Sequence, residues 1–319
     1  MAMRGAMSGG AVSGDAKLTM GPVLFNWPPE KWRDFYFRVA DEAPIDTVCV
    51  GEVVCSKRAP FFDEHLAEVV ERLENGGKEV VLSTLALIMN EREMAAVNDI
   101  AECEDYLVEA NDIATSAAMK GRPHAIGPLV NVYNEGTLAY LASMGAKRIC
   151  LPVELPAGSL GVLAKAQAVE LEVQVFGRMQ LALSARCYHA RSRGLAKDNC
   201  QYVCQEDADG MDIETLDDTP FLAVNGTQTL SNAYCNLIHE LDALMEMGIR
   251  RFRISPHDMD MVATAITFRD VLDGRQDAAW AEGVLAGLSG GAGFCNGFFH
   301  GLEGDAFISP QDTAARGVL

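Results

Sequence analysis

An α/β barrel is the fold that this sequence predicts. Three observations carry the prediction: eight short apolar strands, helices with one apolar face between them, and a length that suits one such domain. The strands begin near residues 17, 47, 79, 106, 124, 148, 171 and 251 of a 319-residue chain. Near-continuous apolar strands that alternate with helices imply a parallel sheet covered on both faces, and eight such units over about 250 residues match a closed TIM-like (β/α)8 barrel. The long interval after the seventh strand is then an insertion, and it carries a group of cysteines. A doubly wound open sheet is the alternative reading of the same alternation.

Residues 17–25 form a short apolar run broken by Gly21-Pro22, and Pro28-Pro29 can start the helix that follows. Trp32, Phe35, Tyr36 and Val39 in that helix are spaced to share one face. Residues 47–53 read as the second strand; Phe62, Leu66, Val69, Val70 and Leu73 mark the next helix, which Asn75-Gly76-Gly77 ends. Strands follow at 79–84, 106–110, 124–128, 148–153 and 171–176, with helices near 91–102, 136–144 and 158–169. A helix with Leu237, Leu241, Leu244 and Met245 on one face stops at Gly248 and leads into the last strand, 251–255. The domain expectation is a flexible leader at 1–16, one barrel-like domain at 17–301 that carries the cysteine group, and a surface tail at 302–319.

Apolar residues make up 49% of the chain and charged residues 22%, which is ordinary for a globular protein. The net charge of −19 opposes a nucleic-acid partner, because phosphate backbones are bound by basic surfaces. The longest apolar candidate for a transmembrane segment, 283–299, is broken by glycines. Nine cysteines, an odd number, in a chain whose start lacks the apolar core of a secretory signal point to a reduced, cytoplasmic setting. In that setting a tight cysteine group indicates metal more often than disulfide.

Cys187, Cys200 and Cys204 form that group, in a segment with Arg186, Arg191, Arg193 and Lys197. Iron-sulfur clusters and zinc both take about four ligands. Cys55, just beyond the second strand, is the best fourth donor, since a barrel gathers the loops at the C-terminal ends of its strands. Zinc with His189, or three unconnected thiols, are the other readings. Cys49 and Cys150 fall inside strands and read as small hydrophobes; Cys103 and Cys235 fall on or near helices. Cys295 lies in the glycine-rich stretch 287–297, from which it could approach the site, and no Gly-Lys-Ser/Thr follows there to make a phosphate loop. Glu52, Asp112 and Glu154 at strand ends could serve as acids or bases, or cap the following helices. Asn131, Tyr133 and Asn134 could bond a polar ligand. Ser184 and His189 are too generic to make a nucleophile and base, and no catalytic residue is assigned.

Five motifs stand in order along the chain: Gly51-Glu52-Val53-Val54-Cys55-Ser56-Lys57-Arg58; Leu82-Ser83-Thr84-Leu85-Ala86-Leu87; Leu151-Pro152-Val153-Glu154-Leu155; Ser184-Ala185-Arg186-Cys187 with Lys197-Asp198-Asn199-Cys200; and Cys295-Asn296-Gly297. Together they resemble the collagenase-like peptidase family, in particular its branch in oxygen-independent ubiquinone biosynthesis. The resemblance implies a barrel-like fold and a 4Fe-4S cluster on Cys55, Cys187, Cys200 and Cys204, with Lys57, Arg58 and Arg186 offsetting its charge. It further implies an iron-sulfur subunit of an oxygen-independent hydroxylase of the aromatic ring of ubiquinone precursors. The implied partners are a UbiU-like paralogue in a heterodimer, a UbiT-like lipid-binding accessory protein, a polyprenylated aromatic substrate, and prephenate as hydroxyl donor. Members nearer the peptidases carry a His-Gly pair and a further cysteine upstream, where this chain has Phe176-Gly177 and Gln180. A collagenase-like peptidase, or a metal-stabilised scaffold subunit without catalysis of its own, are the alternatives.

Overall fold

The computed structural model of this protein describes residues 15–311; residues 1–14 of the expected leader and 312–319 of the expected tail lie outside the described residues. The first half alternates strictly: β1 (Lys17–Met20), α1 (Pro29–Glu42), β2 (Thr47–Val50), α2 (Asp63–Asn75), β3 (Glu79–Ser83), α3 (Glu91–Ala101), β4 (Leu107–Ala110), α4 (Ile113–Ala118), β5 (His124–Ile126), α5 (Glu135–Ser143), β6 (Ala146–Cys150) and α6 (Ala157–Lys165). Then come β7 (Glu170–Leu183), α7 (Tyr188–Ser192), β8 (Met211–Glu214), β9 (Pro220–Asn225), β10 (Gln228–Asn236), α8 (Leu241–Glu246), β11 (Arg251–Ile254), α9 (Met261–Leu272), α10 (Ala278–Leu288) and β12 (Phe294–Cys295). All eight expected strands form. The sequence reading did not anticipate α4, α9 or α10, and α10 takes up the start of the glycine-broken apolar run.

Strands β1 to β7 pair in parallel in sequence order, and β11 pairs with both β1 and β7. That double pairing closes an eight-stranded barrel and removes the open-sheet alternative. Local signals start the helices: Pro29 at the first turn of α1, and Asn90, Asp112 and Asn134, whose side chains accept N–H bonds from the first turns of α3, α4 and α5.

The strands are not apolar on both faces. Successive strand side chains point to opposite sides, and one set, such as Leu18, Val48, Val80, Val108, Ile149 and Phe252, is buried and apolar. The other set carries the charges, among small polar and apolar residues such as Thr19, Cys49 and Val81. Arg253 of β11 bonds both Glu109 of β4 and Glu172 of β7, with Nε 2.5 Å from Glu172 Oε1. β11 and β4 are not neighbours in the sheet, so this contact crosses the barrel interior. Thr19 Oγ1 donates to Glu172 at 2.6 Å and Ser83 Oγ to Glu109 at 3.0 Å, while the Cys49 thiol lies 3.9 Å from Glu109. A second tier nearer the strand N-termini joins Arg148 to Glu79 at 3.0 Å and Glu170 at 3.1 Å. Cys49 therefore sits in a polar interior, where the sequence alone suggested plain apolar packing.

The insertion extends the sheet. Beyond Phe176, where β7 still pairs with β11, the strand continues past the barrel and pairs antiparallel with β10, which pairs in turn with β9, and β9 with β8. Gly177 sits at the switch with φ +112°, and a Cβ there would stand 2.7 Å from His257 Nε2. Cys235 lies in β10, in register with Cys295 of β12; it is a strand residue, which corrects the helical placement. After Gly301 the chain turns back, and Ile308 exchanges main-chain bonds with the Asn296 side chain at 2.7 and 3.0 Å.

Removing one member of a buried ion cluster strands the others. Arg253→Met is expected to lower stability by about 3–5 kcal/mol in urea unfolding at neutral pH; a loss under about 1 kcal/mol would show that the interior carboxylates do not depend on it.

Candidate functional site

The site is built where β2 ends. Gly51 turns the chain with φ +140°, and a Cβ there would come within 2.3 Å of Ser83 O. Glu52 follows, and its carboxylate accepts N–H bonds from Val54 at 2.7 Å and Cys55 at 2.8 Å, which fixes the backbone of Cys55. Burial raises the Glu52 pKa against the pull of Arg58 and these N–H groups. Arg58 then turns inward and is 1% exposed. Its Nη1 donates to Leu24 O at 2.7 Å, and Nη2 to Asn225 Oδ1 at 2.9 Å. From the other side comes the β9–β10 turn: Gly226, with φ +62°, leaves room for Arg58 Nη2, which a Cβ would approach to 2.6 Å. Thr227 Oγ1 donates to Val54 O at 3.1 Å. Burial works against the Arg58 charge, but Glu52, Cys204 and Cys55 more than offset it and hold its pKa up.

Cys55, Cys187, Cys200 and Cys204 line one recess, together with Lys57, Arg58, Lys197, Tyr202, Gly226 and Thr227. All four are free thiols. Cys187 Sγ caps α7 by accepting from Ala190 N at 3.4 Å, and Cys204 Sγ accepts from Asn26 Nδ2 at 3.5 Å. Burial raises the Cys55 and Cys187 pKa values, which Arg58 opposes in both. Between Cys200 and Cys204, Gln201 and Tyr202 take φ values of 52° and 55°. Left-handed backbone at residues other than glycine costs of order 1 kcal/mol or more each, so the surrounding contacts hold this turn. Among the described residues no three His, Cys, Asp or Glu side chains converge as ligands of a single ion.

The remaining expected residues separate cleanly. His189 is buried and does not line the recess, with Nε2 2.7 Å from Asp207 Oδ2. Arg186 is exposed and does not line the recess; Lys197 does. Cys295 is buried beside Ala233 O rather than near the four thiols. Asp112 and Asn134 are helix caps. Glu154 accepts from Tyr133 Oη at 2.6 Å; burial and this carboxylate push the tyrosine up to about 12. With Asn131, Gln174 and Gln180 these two line a polar hollow of about 300 Å³ at the barrel mouth. Ser184 Oγ accepts from Arg186 N at 3.1 Å.

One cluster escaped the sequence reading. Asp209 accepts from Tyr234 Oη at 2.6 Å and Arg178 Nε at 3.1 Å, and lies 2.6 Å from His257 Nδ1. His257 Nε2 accepts from Arg178 N at 2.9 Å, so both ring nitrogens are committed. The arrangement resembles an acid-histidine pair but works as a clamp that fastens the segment after Cys204 to β7, β10 and the turn after β11. Asp209 and His257 are 48 residues apart, and no local pattern links them.

Fold and site define a (β/α)8 barrel with four thiols gathered beyond the C-terminal ends of its strands. The sequence matches the model of Peptidase family U32 over residues 33–305, and the chain belongs to this family, the collagenase-like family that its motifs resemble. Among solved structures, dihydropteroate synthase (FolP) from Thermus thermophilus is similar at 13% identity over 82% of this chain and 94% of that one, with a TM-score of 0.42. Phospho-2-dehydro-3-deoxyheptonate aldolase from Thermotoga maritima is similar at 10% identity over 88% and 71%, with a TM-score of 0.41. These likenesses say nothing of ligand or reaction.

Burial opposes the Asp209 charge, but His257, Arg178 and Tyr234 hold its pKa far below the ordinary carboxylate range. A depressed folded pKa gives stability that is present above about pH 4 and lost as pH falls below it. Asp209→Asn is expected to cost roughly 2–4 kcal/mol at pH 7 and to flatten the acid limb of the stability profile, read by thermal unfolding from pH 2 to 7.

Proposed function

We propose that this chain is a UbiV-like iron-sulfur subunit of an oxygen-independent hydroxylase acting on the aromatic ring of ubiquinone precursors. The observation that carries the reading is four free thiols around one recess against a buried guanidinium whose Nε has no partner. Four cysteine thiolates are the ligand set of a 4Fe-4S cluster. Cys55, Cys187, Cys200 and Cys204 would hold the cluster. Once bound, it would supply one-electron transfer.

The protein's own part is orientation and charge. Glu52 positions Cys55, Asn26 and the Ala190 N–H bond two of the sulfurs, and Arg58, Lys57 and Lys197 offset negative charge around them. Membership of the family and the five motifs support the same assignment. A UbiU-like paralogue would complete a heterodimer and prephenate would donate the hydroxyl group. No helix among the described residues is long and apolar enough to cross a membrane, and a net charge of −19 repels anionic lipid. A UbiT-like lipid-binding protein would therefore deliver the polyprenylated substrate to a cytoplasmic enzyme. The peptidase reading gains no support from Ser184 and His189, since Ser184 Oγ contacts Arg186 N and His189 Nε2 contacts Asp207.

Anaerobic purification is expected to give a brown protein with about four iron and four sulfide per chain and a reducible cluster by electron paramagnetic resonance. Cys55→Ala should lose or degrade that signal, and a colourless, iron-free wild type would overturn the reading. Asn26→Ala removes a hydrogen bond to Cys204 Sγ; it should retain iron but show a lower midpoint potential in a redox titration.

A further inference from the structure

The ring of helices around the barrel has a gap beside the four thiols. α2 packs against α1, and α3 against α4. Between the two pairs lies a cleft of about 620 Å³, within the range of small-molecule sites. Phe62, Leu66, Leu85 and Val97 give it apolar walls. Lys57, Lys197 and Tyr202 line both this cleft and the cysteine recess, so the two spaces adjoin.

The charges at that end are unequal in their commitments. Lys57 Nζ donates to Lys197 O at 2.7 Å and lies 3.8 Å from Asp198. Glu93 is held by Ser56 Oγ and Met89 N, both at 2.7 Å, and Glu52 by its two N–H donors. The Lys197 ammonium rests 3.8 Å from Met89 Sδ and forms no ion pair among the described residues. Lys197, in no ion pair among the described residues although the Glu93 carboxylate is near enough to feel its charge, thus stands where the cleft, with apolar walls and with Asp63, Arg92 and Glu93 also in its lining, meets the thiols.

We propose that this cleft binds an amphiphilic small molecule, with an anionic or hydrogen-bond-accepting head at Lys197 beside the thiols and an apolar chain along the gap between α2 and α3. This assignment rests on the reading of the recess as a redox centre, since it places a substrate head next to it. Charge selects the head and apolar burial holds the chain. Tyr202, held in left-handed backbone, forms the partition between the two spaces and packs edge-on against Phe61 at 4.8 Å.

Isothermal titration calorimetry on the full chain, purified anaerobically, tests this with dodecanoate as probe and dodecyltrimethylammonium as the control of opposite charge. Dodecanoate should bind, and the cation at least about tenfold more weakly. Lys197→Gln should weaken dodecanoate about fivefold and leave the cation unchanged. Ala96→Trp, at an exposed wall position on α3, should weaken dodecanoate about tenfold or more, and Leu66→Trp from the facing wall should do the same, with circular dichroism checking the fold of each. Equal affinity for both probes, no binding by the wild type, or undiminished binding in the folded tryptophan variants overturns the proposal. Iron and sulfide measured on the same samples separate the two readings. An iron-free protein that binds dodecanoate by these criteria keeps the cleft and loses the cluster; an iron-loaded protein that ignores it loses only the cleft.

Discussion

Arg58 enters the protein from the loop after β2 and finds its partners in two other places, the Leu24 carbonyl after β1 and the Asn225 amide at the end of β9. A buried guanidinium is costly unless most of its donors are satisfied and negative charge is near. Glu52 provides that charge, and the two hydrogen bonds engage the terminal nitrogens. Because one side chain meets all three segments, the position of Cys55 is coupled to that of the inserted sheet. Thr227 on Val54 O and Lys57 on Lys197 O reinforce the same coupling between the Cys55 loop and the insertion.

The barrel beneath the site obeys the same electrostatic logic at larger scale. Its interior is a ladder of arginines and carboxylates that cross between strands distant in the sheet. Such clusters contribute little net stability over an apolar filling, but they punish any register that separates the partners. In this chain they fix which strands oppose one another, while the apolar faces outside bind the helices. The loop ends that carry Cys55 and Cys187 inherit their relative placement from that closure.

The insertion is held to the barrel by a second polar clamp, Asp209 with His257, Arg178 and Tyr234. It grips the chain five residues after Cys204, and the left-handed pair Gln201-Tyr202 lies just before that cysteine. Local strain of this kind persists only where the surroundings over-determine the backbone. The clamp on one side and Arg58 on the other supply that constraint, and Gly177 supplies the bend that lets β7 serve both barrel and arm.

All eight barrel strands were legible in the sequence, because each is a short apolar run bounded by turn signals, and so was the candidate set of Cys55, Cys187, Cys200 and Cys204, because strand-end loops of a barrel share one face. The charged interior was legible in principle: Glu170, Glu172 and Gln174, or Arg251 and Arg253, alternate with apolar residues at the strand period, and a reading that asks only for apolar runs passes over them. Asp112, read as an acid or base or else a helix cap, and Asn134, read as a ligand-binding candidate, both proved to be caps, a distinction that needs hydrogen-bond geometry. What the sequence determined by itself was periodicity and the order of motifs, since both are properties of neighbouring residues. The grip of Arg58 on Asn225, the pairing of Asp209 with His257 and the cleft left between α2 and α3 were decided only in the tertiary structure, because they join residues whose separation along the chain encodes nothing about their contact.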